Sequence, residues 1–202
     1  MTSTRTKAGR NSTGTPATDG PATTYIAFLR AINVGGRTVK MERLRALFEE
    51  LGLGGVRSYI QSGNVFFTST EQDRAALTRR IEDHLAAGLG YPVPVMLRTV
   101  EEIERLLAAE PFTGIEATPD VRLMLVFLSE PLPRGFELPQ KSPKGDFEIL
   151  GADQGTAYVV IHLQGGRMNI NPGDVFGKTY GGQGTARFLH TTAKILAAAK
   201  KG

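Results

Sequence analysis

Cysteine is absent from this chain, which removes disulfides, thiolate nucleophiles and cysteine-ligated metal sites at once. The absence fits a reducing, cytoplasmic setting. Histidine is scarce: His84, His162 and His190 lie far apart and form neither a His-x-His nor a His-Glu-x-x-His spacing, so no structural zinc site is expected. No apolar run approaches the roughly 20 residues a membrane-spanning helix needs, and the longest are strand-sized. A net excess of charge of one sign is also missing from the body of the chain. The formal net charge is +4 and the pI near 9.5. However, Arg5, Lys7 and Arg10 against Asp19 supply half of that excess, and Lys200 and Lys201 supply the rest. Basic ends of this kind are ordinarily solvated, so the high pI argues only weakly for a nucleic-acid face.

What is present is enough apolar residue, 41%, to build a core in one domain or two small ones. Residues 1–22 are rich in Thr, Ser, Gly, Ala and Pro, and lack the apolar centre of a secretory signal. They cannot bury enough surface to offset their ordering entropy and read as a disordered tail. Order is expected from residue 23. A strand over 23–32, apolar on both faces, is followed by a helix over 39–51 with Thr38 as its cap and Gly52 just past its end. Strands over 56–60 and 64–69 form a hairpin around Gln61-Ser62-Gly63. Ser69-Thr70-Glu71-Gln72 has the form of a capping box opening a helix with Leu77, Ile81 and Leu85 on one stripe. A strand over 93–98 closes a β-α-β-β-α-β unit, the ferredoxin-like arrangement, with expected strand order 4-1-3-2.

A second unit, residues 100–202, begins with a helix capped by Thr99-Val100-Glu101-Glu102. A doubly apolar strand over 121–129 follows, then a Pro/Gly/Lys-rich link over 131–145 and a hairpin of 147–150 with 157–163. A glycine-rich link over 165–184 leads to a last helix over 185–200. This order loosely repeats that of residues 23–99, so the fold class is α+β, with a ferredoxin-like subdomain followed by a degenerate relative of it.

In strand order 4-1-3-2 the end of the first strand and the hairpin turn share one sheet edge. Arg30, Asn33, Gly35 and Gly36 are thereby placed beside Gln61, Ser62, Gly63 and Asn64. Two glycines ahead of a helix can present backbone N–H groups to an anion, and an arginine adds a fork of donors. Asn33, Gln61, Ser62 and Asn64 supply neutral donors and acceptors. The alternative is that the glycines shape a turn, Asn64 holds the hairpin and Arg30 is tied to a carboxylate or to loop carbonyls.

Other motifs carry less. Gly173-Asp174-Val175-Phe176-Gly177-Lys178-Thr179 resembles a phosphate loop, but has three residues between its glycines where four are needed and lacks the flanking strand and helix. Tyr59, Phe66 and Phe67 could stack bases, although Phe66 and Phe67 point to opposite faces and at least one must be core.

The succession Leu29-Arg30-Ala31-Ile32-Asn33-Val34-Gly35-Gly36, Leu44-Arg45-Ala46-Leu47 and Tyr59-Ile60-Gln61-Ser62-Gly63-Asn64-Val65 resembles the bacterial family known as domain of unknown function 1697. The resemblance spans about residues 23–200. It implies a cytosolic α+β protein of two related subdomains, with no established activity, substrate or cofactor. In that family the last helix typically opens with a Thr-x-Arg-Asn-Trp-like stretch. Here Thr185-Ala186-Arg187 matches, while Phe188-Leu189 replaces Asn-Trp. Thr185 and Arg187 thus join the candidate cluster. Three functions fit this reading: a protein that binds or transforms a small polar or anionic ligand, a nucleic-acid-binding module, or an interaction scaffold. The first is favoured. No nucleophile, base, metal set or cofactor motif stands out, and the residues do not specify an oligomeric state.

Overall fold

The structure, a computed structural model, describes residues 20–33, 35, 36, 38–116, 118–177 and 180–201. The tail expected over 1–22 therefore lies, through residue 19, outside the described residues, as do Lys178 and Thr179 of the phosphate-loop-like segment.

The first unit runs β1 (Thr23–Leu29), α1 (Met41–Glu49), β2 (Gly54–Ser58), β3 (Asn64–Ser69), α2 (Arg74–Leu89) and β4 (Val95–Thr99). Its sheet has the order β2-β3-β1-β4 with every pair antiparallel, the topology expected from the sequence. One face of the sheet carries Tyr25, Ala27, Leu29, Val65 and Phe67, which pack on Leu44, Leu47 and Phe48 of α1 and on Leu77, Ile81 and Leu85 of α2. That helical spacing of apolar residues is why both helices lie on the same side.

Two caps differ from expectation. α1 starts after Lys40, with no side-chain cap, and Thr38 is not at its boundary; the Val39 N–H is instead held by Asn33 Oδ1 at 2.6 Å. α2 is capped by Asp73, whose carboxylate accepts from the Ala76 N–H, while Ser69 Oγ closes a local turn on the Glu71 N–H. A carboxylate next to the helix start outcompeted the more distant hydroxyl.

The second unit comprises α3 (Val100–Ala108), β5 (Val121–Leu128), β6 (Gln140–Lys141), β7 (Phe147–Asp153), β8 (Thr156–His162), a short 3-10 turn (Pro172–Asp174), β9 (Gly184–Phe188) and α4 (Leu189–Ala199). The expected capping box of α3 is present in full, with Thr99 and Glu102 exchanging hydrogen bonds. The expected helix over 185–200 is a correction: its first four residues extend β9, which pairs with β5 from Gly184 to Phe188 before α4 begins.

That strand completes a repeat. The second sheet is ordered β6-β7-β8-β5-β9, so β7-β8-β5-β9 reproduces β2-β3-β1-β4. The registers agree residue by residue. Phe28 faces Asn64 and Phe127 faces Thr156; Ile26 faces Arg98 and Leu125 faces Arg187. Irregular links replace the two helices of the first unit, and Leu132, Phe136, Leu138, Val175, Phe176 and Tyr180 from those links cover the outer face of the second sheet. The remaining faces of the two sheets meet in one core with α3 and α4, where Phe28 and Phe127 stack at 3.8 Å between ring centroids.

Candidate functional site

Side chains alternate along a strand, so Thr185 and Arg187 of β9 point the same way, and both are buried against the first sheet. Arg187 Nε donates to Asn64 Oδ1 at 2.7 Å; Nη1 donates to Thr185 Oγ1 and to the Ala186 carbonyl; Nη2 donates to the carbonyls of Leu29, Ser62 and Gly63. Thr185 Oγ1 in turn donates to the Leu29 carbonyl, and Asn64 Nδ2 donates to Ser62 Oγ and the Tyr59 carbonyl. All five N–H groups of the guanidinium are occupied, every partner being a neutral oxygen. Removal from water pushes its pKa down to about 10. Gly63 belongs to the same knot: its φ is +71°, and a Cβ there would lie 3.0 Å from the side chains of Leu29 and Ile32.

Arg98 of β4 makes the mirror-image contact. Its Nη1 donates to the Leu97 carbonyl and its Nη2 to the carbonyls of Leu128 and Gly155, the counterparts of Ala186, Leu29 and Gly63. Arg98 lies 5.8 Å from the centre of the Phe127 ring, and Arg187 lies 5.8 Å from that of Phe28. Burial also lowers the Arg98 pKa to about 10. One difference separates the pair. Thr156 occupies the position that Asn64 holds in the first unit, and Arg98 Nε is buried without a partner. A small void of about 60 Å³ borders both Arg98 and Thr156. Thr156→Asn is expected to supply the missing oxygen and raise the unfolding free energy by about 1 kcal/mol, measured by urea denaturation. An unchanged or lower midpoint would show that the amide oxygen does not reach Nε.

On the Arg187 side the sheets part into a cleft of about 680 Å³. Arg30, Ser62, Thr185 and Arg187 line it, together with apolar Ile60, Met124, Met168, Pro172 and Phe188. The other expected site residues lie elsewhere. Asn33 Nδ2 donates to the Gln61 carbonyl at 2.8 Å, tying the loop after β1 to the hairpin turn, so the predicted juxtaposition is real but is made by scaffolding contacts. Asn64 is wholly buried beneath the cleft. Gly35 and Gly36 are exposed and are separated from the start of α1 by residues 37–40, which takes their N–H groups away from the positive end of that helix.

Arg30 is tied to both a carboxylate and a carbonyl. Its Nη2 meets Asp174 Oδ1 at 2.7 Å, and its Nη1 donates to the Gly184 carbonyl. Asp174 belongs to the 3-10 turn, which abuts β9 so closely that a Cβ on Gly173 would lie 2.7 Å from the Gly184 carbonyl oxygen. A second cavity of about 270 Å³, bordered by Arg30, Asp174, Phe176 and Tyr180, opens on the other side of this turn.

Sequence reasoning missed Ile60, Met168, Phe188 and Asp174. Ile60 stands inside the motif already singled out, and an isoleucine immediately before a hairpin turn was the available signal. It is 48% exposed with φ +49°, a left-handed conformation that a β-branched residue seldom adopts. Ala31 and Asn33, across from it, also have positive φ, at +58° and +56°. Phe188 takes the N-cap position of α4, where it makes no side-chain cap, walls the cleft and stacks on His190 at 5.4 Å.

Of the three aromatic residues expected as candidates to stack bases, Phe66 and Phe67 are buried and Tyr59 is partly buried against the core shared by the two sheets. His84 pairs with Glu50 at 2.9 Å, and none of His84, His162 and His190 borders the cleft. Among the described residues no group of three or more His, Cys, Asp or Glu stands together to hold a metal ion. No described helix is long and apolar enough to cross a membrane.

A family model described as Protein of unknown function (DUF1697) matches residues 22–158, more than half of the chain, and the chain belongs to that family. The match ends before Thr185 and Arg187. Among solved structures, that of conserved bacterial protein SP0830 from Streptococcus pneumoniae is 25% identical with a TM-score of 0.67, over 89% of this chain and 99% of that one. No curated protein matches the chain.

Proposed function

We propose that this member of the DUF1697 family binds a small anionic molecule with an apolar body in the cleft between its two sheets. The observation that carries the reading is Ile60. A large apolar side chain is held exposed, in a strained backbone conformation, at the rim of the cleft. The other exposed large apolar residue among those described, Met168, borders the same cleft. Strain of this kind persists where surrounding structure enforces it, and it concentrates at binding sites. Apolar walls with a few polar groups are the usual make-up of a small-molecule site. Arg30 supplies the positive charge at the rim.

The reading is one of binding. Among the described residues of the lining, Arg30 and Arg187 are the only side chains bearing acidic or basic groups, which leaves no carboxylate or imidazole to act as a base.

A thermal-shift screen over straight-chain carboxylates, sugar phosphates and nucleotides, followed by calorimetry, tests the proposal. Octanoate is expected to bind. Ile60→Asn is expected to weaken it roughly tenfold, the worth of one lost aliphatic contact. Because asparagine tolerates a left-handed backbone, the same variant should melt no lower than the wild type. Equal octanoate affinity in wild type, Ile60→Asn and Met168→Asn would remove the cleft as the site.

A further inference from the structure

We infer that Asp174 is a resident carboxylate on Arg30, and that the ligand of the cleft is a carboxylic acid admitted when its own carboxylate takes that place. The inference rests on the cleft reading above and names the chemistry of its charged end.

Two cations border the cleft, and only one can be freed. Arg187 has every N–H committed to oxygens that hold the ends of β1 and β9 together, and releasing it would orphan buried carbonyls. Arg30 gives one arm to the Gly184 carbonyl and the other to Asp174. The first contact fixes the guanidinium to β9; the second is an ion pair in which Arg30 is 23% and Asp174 56% exposed. Pairs so open to water cost little to break.

The surroundings suit an exchange. Asn171, Pro172 and Gly173, which lead into Asp174, form one wall of the cleft, while Asp174 itself borders the smaller cavity behind it. A displaced carboxylate therefore has space on the far side of the turn. Its other oxygen already accepts from Asn171 Nδ2 at 2.6 Å, a contact independent of Arg30. A carboxylate arriving from the cleft finds the Arg30 Nη2 donor already oriented by the bond from Nη1 to β9. The occupant it replaces has the same charge and shape. Its apolar chain would then lie along Ile60, Met124 and Met168.

Octanoate and its uncharged counterpart octanol are the probes, measured by calorimetry on the full chain. If the two carboxylates compete, Asp174→Asn and Asp174→Ala bind octanoate roughly two- to fivefold more tightly than wild type, the worth of an exposed ion pair. Octanol affinity stays the same in all three proteins. Octanoate affinity that is unchanged or lower in both variants, while octanol and octanoate still bind wild type and still weaken in Ile60→Asn, overturns the exchange and leaves the cleft reading standing. Failure of both probes to bind wild type overturns the two together. A melting temperature for each variant guards against a folding defect, and the agreement of the two substitutions separates loss of the carboxylate from any contact made by asparagine.

Discussion

Arg187→Lys is expected to lower the unfolding free energy by about 3 kcal/mol, read as a fall in the urea midpoint at unchanged slope. The side chain makes six hydrogen bonds that gather the end of β1, the hairpin turn before β3 and its own strand β9. A planar fork can address oxygens on three sides at once. An ammonium group has three donors on one atom and is more strongly hydrated, so lysine would keep the burial penalty and lose most of the bonds. Asn64→Ala should be less than additive with Arg187→Lys, because both remove the bond between Nε and Oδ1. Full additivity would mean that the contact contributes nothing. The pH dependence has a definite sign. Burial depresses the pKa of Arg187 in the folded protein to about 10, below its ordinary value. The folded state thus holds this proton less tightly than the unfolded chain does. The cost of burying the cation is constant through neutral pH and is relieved only as the pH rises through about 10. The wild-type contribution of Arg187 should accordingly be flat between mildly acid and mildly alkaline pH, whereas the buried ammonium of Arg187→Lys gives up its proton more readily than a free lysine, so the deficit should shrink as the pH rises. A deficit that grows with pH would point to a different titrating group.

The legible and illegible parts of this molecule divide by the range of the interactions involved. β3 was readable to the residue, because the short apolar run Val65-Phe66-Phe67 between Gly63 and a polar run leaves one reading. The approach of Asn33 to the hairpin turn followed from strand order alone. β9 was not readable. At β4 the change from strand to helix is marked by a capping box at Thr99 and Glu102; at β9 the equivalent change occurs at Phe188, which has no cap to betray it. Thr185 to Phe188 therefore merged with the helix that follows. Asp174 was invisible for another reason. It meets Arg30 across 144 residues, from a turn inside a glycine-rich link without periodicity, and nothing local ties one to the other. The burial of Arg187 is likewise a product of two sheets meeting, which no window of sequence contains.

The same meeting of sheets predicts how the protein unfolds. Phe28→Ala is expected to cost about 3–5 kcal/mol, as for other fully buried aromatic truncations. The ring is wholly buried and stacks on Phe127 within 10° of parallel. Each of these rings also lies under the arginine of the opposite sheet, Arg187 over Phe28 and Arg98 over Phe127. Truncation therefore removes the stack, one cation contact and part of the packing around the reciprocal arginines together. Because the core around Phe28 is built from β1, β3, β4, β5 and β8 with α3 and α4, the loss should be felt by both sheets. Wild type and Phe28→Ala should each unfold in a single transition, with tyrosine fluorescence and far-ultraviolet dichroism coincident. Phe127→Ala, its counterpart in the repeat, should shift that transition by a similar amount. Two transitions in Phe28→Ala, with Phe127→Ala moving only the other one, would instead mean that each sheet is held by its own outer layer and that the stacked rings merely touch. The exchange of arginines argues against that outcome. Each sheet completes the hydrogen bonding of the other's strand ends, so neither can lose its partner without exposing buried carbonyls of its own.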